Sequence, residues 1–115
     1  MTEKEYIEVC KRYSEYIHLT AGTIGYLNSG KFDMGQYQVT DFCYDWSQNS
    51  TEKCMGKVFV SCICTNDDIF TKSNPCYKTH DVNQFESDLL LFIKNYKKAQ
   101  MELREKKLNK DFTND

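Results

Sequence analysis

From residue 81 onward, apolar side chains recur at alternating steps of three and four: Val82, Phe85, Leu89, Phe92, Tyr96, Ala99 and Leu103. That spacing draws one seam along one side of an α-helix, and Leu90 and Ile93 widen it in the middle. Asp81 followed by Gln84 has the form of a capping box, so the pattern predicts one long helix over Asp81 to Lys110. A similar seam runs through Tyr6, Cys10, Tyr13, Ile17, Thr20, Ile24 and Leu27, behind a second capping box at Thr2 and Glu5. It predicts a first helix that continues to Ser29, with Gly30 in the left-handed position after its last turn. Gly22 and Gly25 are its weak point, each costing roughly 1 kcal/mol of helix propensity. With Ala21 they would let another backbone approach closely; as a phosphate turn they match no known spacing.

Between the helices the period changes to two. Tyr37 to Trp46 alternates Gln38, Thr40, Phe42, Tyr44 and Trp46 against Tyr37, Val39, Asp41, Cys43 and Asp45, which predicts a strand whose second set meets solvent or a partner. Lys57 to Thr65 predicts a second strand, with Val58, Val60, Cys62 and Cys64 on one face and Phe59, Ser61 and Ile63 on the other. The polar stretch Ser47 to Lys53 connects the two as a hairpin loop. After the turn at Asn66-Asp67-Asp68, Ile69 to Thr71 could add a short edge strand, ended by Ser73-Asn74-Pro75. The expected fold is therefore α+β, two long amphipathic helices packed together on a small antiparallel sheet of two to three strands. Residues 1–110 form a single domain and 111–115 a frayed tail. Because the seam of the C-terminal helix outlasts such a body, a homodimer built on the long helices is expected.

Composition adds bounds. A chain of 115 residues, 28% charged and 40% hydrophobic with one proline and five glycines, has room for one core and little material for linkers. The charged start, Met-Thr-Glu-Lys-Glu-Tyr, has no apolar signal region, and no stretch is long and apolar enough to span a bilayer. A cytoplasmic protein without membrane association is expected, its six cysteines kept as thiols. The acceptor-like triplet Asn49-Ser50-Thr51 then carries no meaning.

The candidate chemistry falls into three sets. Cys54, Cys62, Cys64 and Cys76, with His80, could supply the thiolate and imidazole ligands that zinc prefers. Zinc fingers and ribbons take ligand pairs from tight turns, whereas the close pair Cys62 and Cys64 lies in a predicted strand, where core packing explains both thiols. A nucleophilic Cys54 or Cys76 beside His80 or His18 has no recognisable nucleophile turn, so no catalytic residue and no enzyme is expected, and no cofactor beyond the zinc alternative. Carboxylates form the second set: Asp41 and Asp45 share a strand face with Tyr37, and Asp67 and Asp68 occupy a turn. The third is charge asymmetry. Between Lys94 and Lys110 seven basic residues face two acidic ones, a net of +5 in a chain whose formal charge is −2. Lys94, Lys97, Lys98, Arg104, Lys106 and Lys107 could track phosphates, although cations also complement a helix C-terminus and solvate an exposed helix.

The function expected from these features is recognition of another protein, with Tyr37, Asp41, Asp45, Asp67 and Asp68 as the binding residues. By analogy of size and composition, such a chain fits an inhibitor, an immunity protein or a phage-encoded anti-defence protein. The alternatives are a nucleic-acid binder using the basic helix end and a zinc-stabilised module.

Overall fold

The structure is a computed structural model that describes residues 1–20, 23–28, 35–44 and 54–113, with the backbone alone for residue 44 and for 110–113. Helix α1 spans Glu3–Arg12. It starts as expected: the Glu5 amide donates to Thr2 Oγ1 (3.1 Å), and the Thr2 amide donates to Glu5 Oε1 (2.9 Å). It ends much earlier than the seam predicts, with the Tyr13 amide donating to the carbonyls of Cys10 and Lys11. Beyond it, Ile17–Leu19 (β1) and Gly25–Leu27 (β2) pair antiparallel, Ile17 opposite Leu27. The expectation of a second long helix is therefore corrected. Ile17, Thr20, Thr23, Ile24 and Tyr26 are β-branched or aromatic and suit a pleated surface. In so short a run, positions 17 and 27 satisfy a period of two as well as one of 3.5. Gly25 does serve a close approach, since a Cβ there would lie 2.6 Å from Thr40 Cγ2 of the next strand. Gly22 and Gly30 fall outside the described residues.

A single 3₁₀ turn, Gly35–Tyr37, leads into β3 (Gln38–Tyr44). The remaining strands are β4 (Cys54–Phe59), β5 (Cys62–Cys64), β6 (Ile69–Thr71) and β7 (Cys76–Thr79), and helix α2 runs over Val82–Thr113. The main sheet has five antiparallel strands in the order β1-β2-β3-β4-β7, and β5-β6 forms a separate two-stranded sheet. The sheet is thus larger than expected. The run Lys57 to Thr65 is cut at Val60 and Ser61 into strands of different sheets, because their carbonyls are taken elsewhere. Asn95 Nδ2 of α2 donates to Val60 O (2.6 Å), and the Lys72 amide donates to Ser61 O (2.9 Å). Cys76 to Thr79, which the sequence pattern does not mark as a strand, pairs with β4.

Both helices lie on one face of the main sheet. Phe85 of α2 sits directly over Gly56 of β4, and the Tyr6 ring of α1 stacks on Phe85 (5.0 Å between centroids) and meets Phe42 (5.2 Å). The predicted seam of α2 is its buried side: Phe85, Leu89, Phe92, Tyr96 and Ala99 are buried, Val82 and Leu103 half-buried. Each such large side chain contributes about 1.5–3 kcal/mol. Asp81 caps the helix by accepting from the Asn83 amide (2.8 Å), but Gln84 turns away from the cap and donates to Asp88 (2.9 Å). Leu90 does not join the seam. It is 48% exposed.

Candidate binding surface on the C-terminal half of the long helix

The five residues expected to form one acidic face are distributed over two places, with Asp45 outside the described residues. Asp41 lies on the sheet face away from the helices, opposite Lys57 in the register. Burial pushes its carboxyl above the usual range. Asp67 and Asp68 occupy a turn closed by Thr65, whose hydroxyl accepts from the Asp68 amide (3.0 Å). Tyr37, expected on a solvent face, is only 4% exposed. Its ring lies against Phe70 of β6 (5.5 Å), and its hydroxyl donates to Asp68 Oδ2. That bond raises the phenol pKa. The other Asp68 oxygen accepts from the Ile69 amide (2.8 Å), so this carboxylate is held in place by its own surroundings.

The basic residues do not form one stripe. At about 100° per residue, Lys94, Lys97, Lys98 and Arg104 fall on the outward half of α2, and Lys106 and Lys107 on the side that carries the seam. Lys97 lies over the Tyr16 ring (5.6 Å). Lys106 Nζ donates to Cys64 O (3.0 Å), tying α2 to the β5-β6 hairpin beyond the last apolar seam residue. Around and past this contact, residues 104–109 are all exposed.

Two features meet on this half of the helix. Between the 65–69 turn and α2 lies a cleft of about 290 Å³ lined by Asp68, Ile69, Tyr96, Gln100, Leu103, Arg104 and Lys107. Residues read from sequence as two unrelated surfaces, Asp68 and the pair Arg104 and Lys107, are therefore walls of one cavity. Its floor is apolar, with Ile69 and Tyr96 buried and Leu103 half-buried. Beside it, on the outward face, Met101 and Leu108 are 62% and 56% exposed. Spacings of 11 and 7 residues from Leu90 to Met101 to Leu108 bring the three within roughly 20° of one another around the helix axis. Sequence reasoning missed Met101, Leu108 and Gln100. The signal was the 11-and-7 recurrence, overshadowed by the stronger seam on the opposite side.

The expected zinc ligands are spread across the fold. Cys54 begins β4 and Cys76 pairs with Phe59 at its other end, while Cys62 and Cys64 belong to the hairpin. His80 Nδ1 lies 3.0 Å from the carbonyl oxygen of Cys54. Among the described residues, no three His, Cys, Asp or Glu side chains converge as a metal-binding set. All six cysteines are free thiols, and burial pushes those of Cys10 and Cys62 up to about 12. Among the described residues no helix is long and apolar enough to cross a membrane. No protein-family model, curated protein or solved structure matches the chain.

Proposed function

We propose that this protein acts by binding another protein, which seats on the outward face of α2 between residues 96 and 109 and on the adjoining cleft. One observation carries the reading: Met101 and Leu108 stand exposed on the same outward face of a helix end whose other side meets the β5-β6 hairpin. A helix end of this length gains little stability from propensity alone, and a partner that buries its apolar positions supplies what is lacking. Arg104, Lys94 and Lys97 lie between the apolar residues, so the matching surface is an apolar groove with acidic rims. A second copy of the chain is a poorer match, because the outward half of α2 carries Lys94, Lys97, Lys98 and Arg104 against only Glu102 and Glu105, and two such faces repel on balance. Nucleic acid is also a poorer match, because the cations are spread around the helix and interrupted by Leu90, Met101 and Leu108. By occupying a groove that its partner uses for something else, the chain would act as an inhibitor or immunity-type protein.

The test is capture of a partner from extracts of the source cells by the wild-type protein and by Met101→Glu/Leu108→Glu. The partner is then purified and its affinity measured by calorimetry. Loss of at least about thirtyfold in affinity, with the variant's thermal unfolding unchanged, is the expected result, since central apolar contacts each contribute more than about 1 kcal/mol. Unchanged affinity refutes the reading.

A further inference from the structure

The cleft beside this surface has a charge arrangement that selects its occupant. Arg104 and Lys107 line it, and among the described residues neither forms an ion pair. The one carboxylate in the wall, Asp68, is already engaged at both oxygens, by the Tyr37 hydroxyl and by the Ile69 amide. It is thereby held as one fixed negative charge facing two cations, which leaves the cleft with one positive charge in excess. Lys106, the third cation of this stretch, is bound to Cys64 O and holds the hairpin wall against the helix. What remains is a small cavity with an apolar floor, an amide at Gln100, two available cations and one fixed anion.

We infer that this cleft is a carboxylate pocket that takes a Glu or Asp side chain of an acidic segment in the partner protein. The inference rests on the binding role proposed above and names the chemistry of the partner. Three points favour this occupant. The cleft, about 290 Å³, has room for one carboxylate side chain with its stem. A short methylene stem fits against Ile69 and Leu103 while its carboxylate reaches the guanidinium of Arg104, whose fork matches two oxygens. A phosphate dianion brings a second negative charge towards Asp68, whereas a single carboxylate leaves the local balance of two cations and two anions even.

The test uses amide chemical shifts of the full chain in titrations with a capped decapeptide of alternating Leu and Glu, and with the same peptide carrying Gln for Glu. Inorganic phosphate and a twelve-nucleotide single-stranded DNA are titrated in parallel. Shifts confined to residues 65–69 and 100–107, a tenfold or greater loss of affinity with the Gln peptide and with Arg104→Gln, and no more than a twofold loss with Lys78→Gln, an exposed cation of β7, support the pocket. Equal losses for Arg104→Gln and Lys78→Gln show general attraction to surface cations and overturn it. Tighter binding of phosphate or DNA than of the Glu peptide overturns it in favour of a phosphate site. Arg104 is exposed and makes no ion pair among the described residues, so its replacement is expected to leave the fold intact, which unchanged shifts across β3 and β4 verify. The two readings fail separately. If Arg104→Gln binds the peptide like wild type while partner capture still requires Met101 and Leu108, the pocket falls and the binding role stands.

Discussion

Gly56 lies midway along β4, under the ring of Phe85, and its replacement by alanine tests the seating of α2 on the sheet. An added Cβ would fall on Phe85 Cδ1, with Phe85 Cε1 at 2.8 Å and Met1 Cε at 2.9 Å. Carbon atoms prefer about 3.5–4.0 Å, so the ring has to retreat by roughly 1 Å. It has little space to do so. The Phe85 ring is fully buried and stacked at 5.0 Å on Tyr6, which is itself backed by Phe42 at 5.2 Å. Overpacking of this kind costs about 1–3 kcal/mol, and removing a glycine from a strand returns about 0.5–1 kcal/mol. The net expectation for Gly56→Ala is a destabilisation of about 1 kcal/mol, or roughly 0.5 M in the urea midpoint at an m-value of about 2 kcal/mol/M. Circular dichroism during urea unfolding reads it. A partner variant sharpens the test: Phe85→Leu alone also destabilises, by about 1–2 kcal/mol, but it removes the ring atoms that the new methyl meets. The double variant should then lose at least about 1 kcal/mol less than the sum of the two single losses. A cost below about 0.5 kcal/mol for Gly56→Ala, or additive losses in the double variant, would refute the placement of Phe85 over β4, and with it the position of the helix that forms the cleft.

Two further outcomes are expected. Asp41 has a carboxyl raised by burial, so the folded chain holds that proton to higher pH than the unfolded chain does; its contribution to stability falls as pH rises from about 4 through the folded pKa and stays low above it. Asp41→Asn should therefore raise the melting temperature by about 1–3 °C at pH 7 and leave it unchanged below about pH 3.5, and a lower melting temperature at pH 7 contradicts the burial argument. Cys10 and Cys62, with thiols near 12, should react with iodoacetamide at pH 8 about a thousandfold or more slowly than an unperturbed cysteine, as followed by peptide mass mapping in the folded protein.

What the sequence discloses depends on how far the determining contacts lie along the chain. The buried side of α2 was legible because Val82 to Leu103 repeats one spacing over six turns, too long to fit any other period. The Thr2 and Glu5 box was legible because both partners are three residues apart. Residues 13–27 were misleading for the opposite reason: a short run with two apolar residues per element fits helix and hairpin alike, and pairing of β2 with β3 decides between them. The cut at Val60 depends on Asn95, 35 residues away, and no local feature of Val58 to Ile63 announces it. Gly56 did carry an unread signal, since a glycine inside a strand marks the close approach of another group. Of the candidate site, the acidic turn and the basic helix end were each visible. Their apposition was not, because it is produced by the fold of the β5-β6 hairpin against a helix more than 30 residues further on.

Among the described residues, four side-chain hydrogen bonds fasten that hairpin and its entry to the rest of the molecule: Asn95 to Val60 O, Lys106 to Cys64 O, Tyr37 to Asp68 and Thr71 to Gln36 O. None of them is a rung of the main sheet. The hairpin can therefore open as a unit while the five strands stay closed, and its amides then exchange with solvent at a rate of their own. Any occupant that bridges the 65–69 turn and α2 closes this opening in proportion to its concentration over its dissociation constant. Deuterium uptake between residues 62 and 71 thus becomes a gauge of occupancy that needs no label on the ligand, calibrated within the same molecule by the unchanging strands β3 and β4.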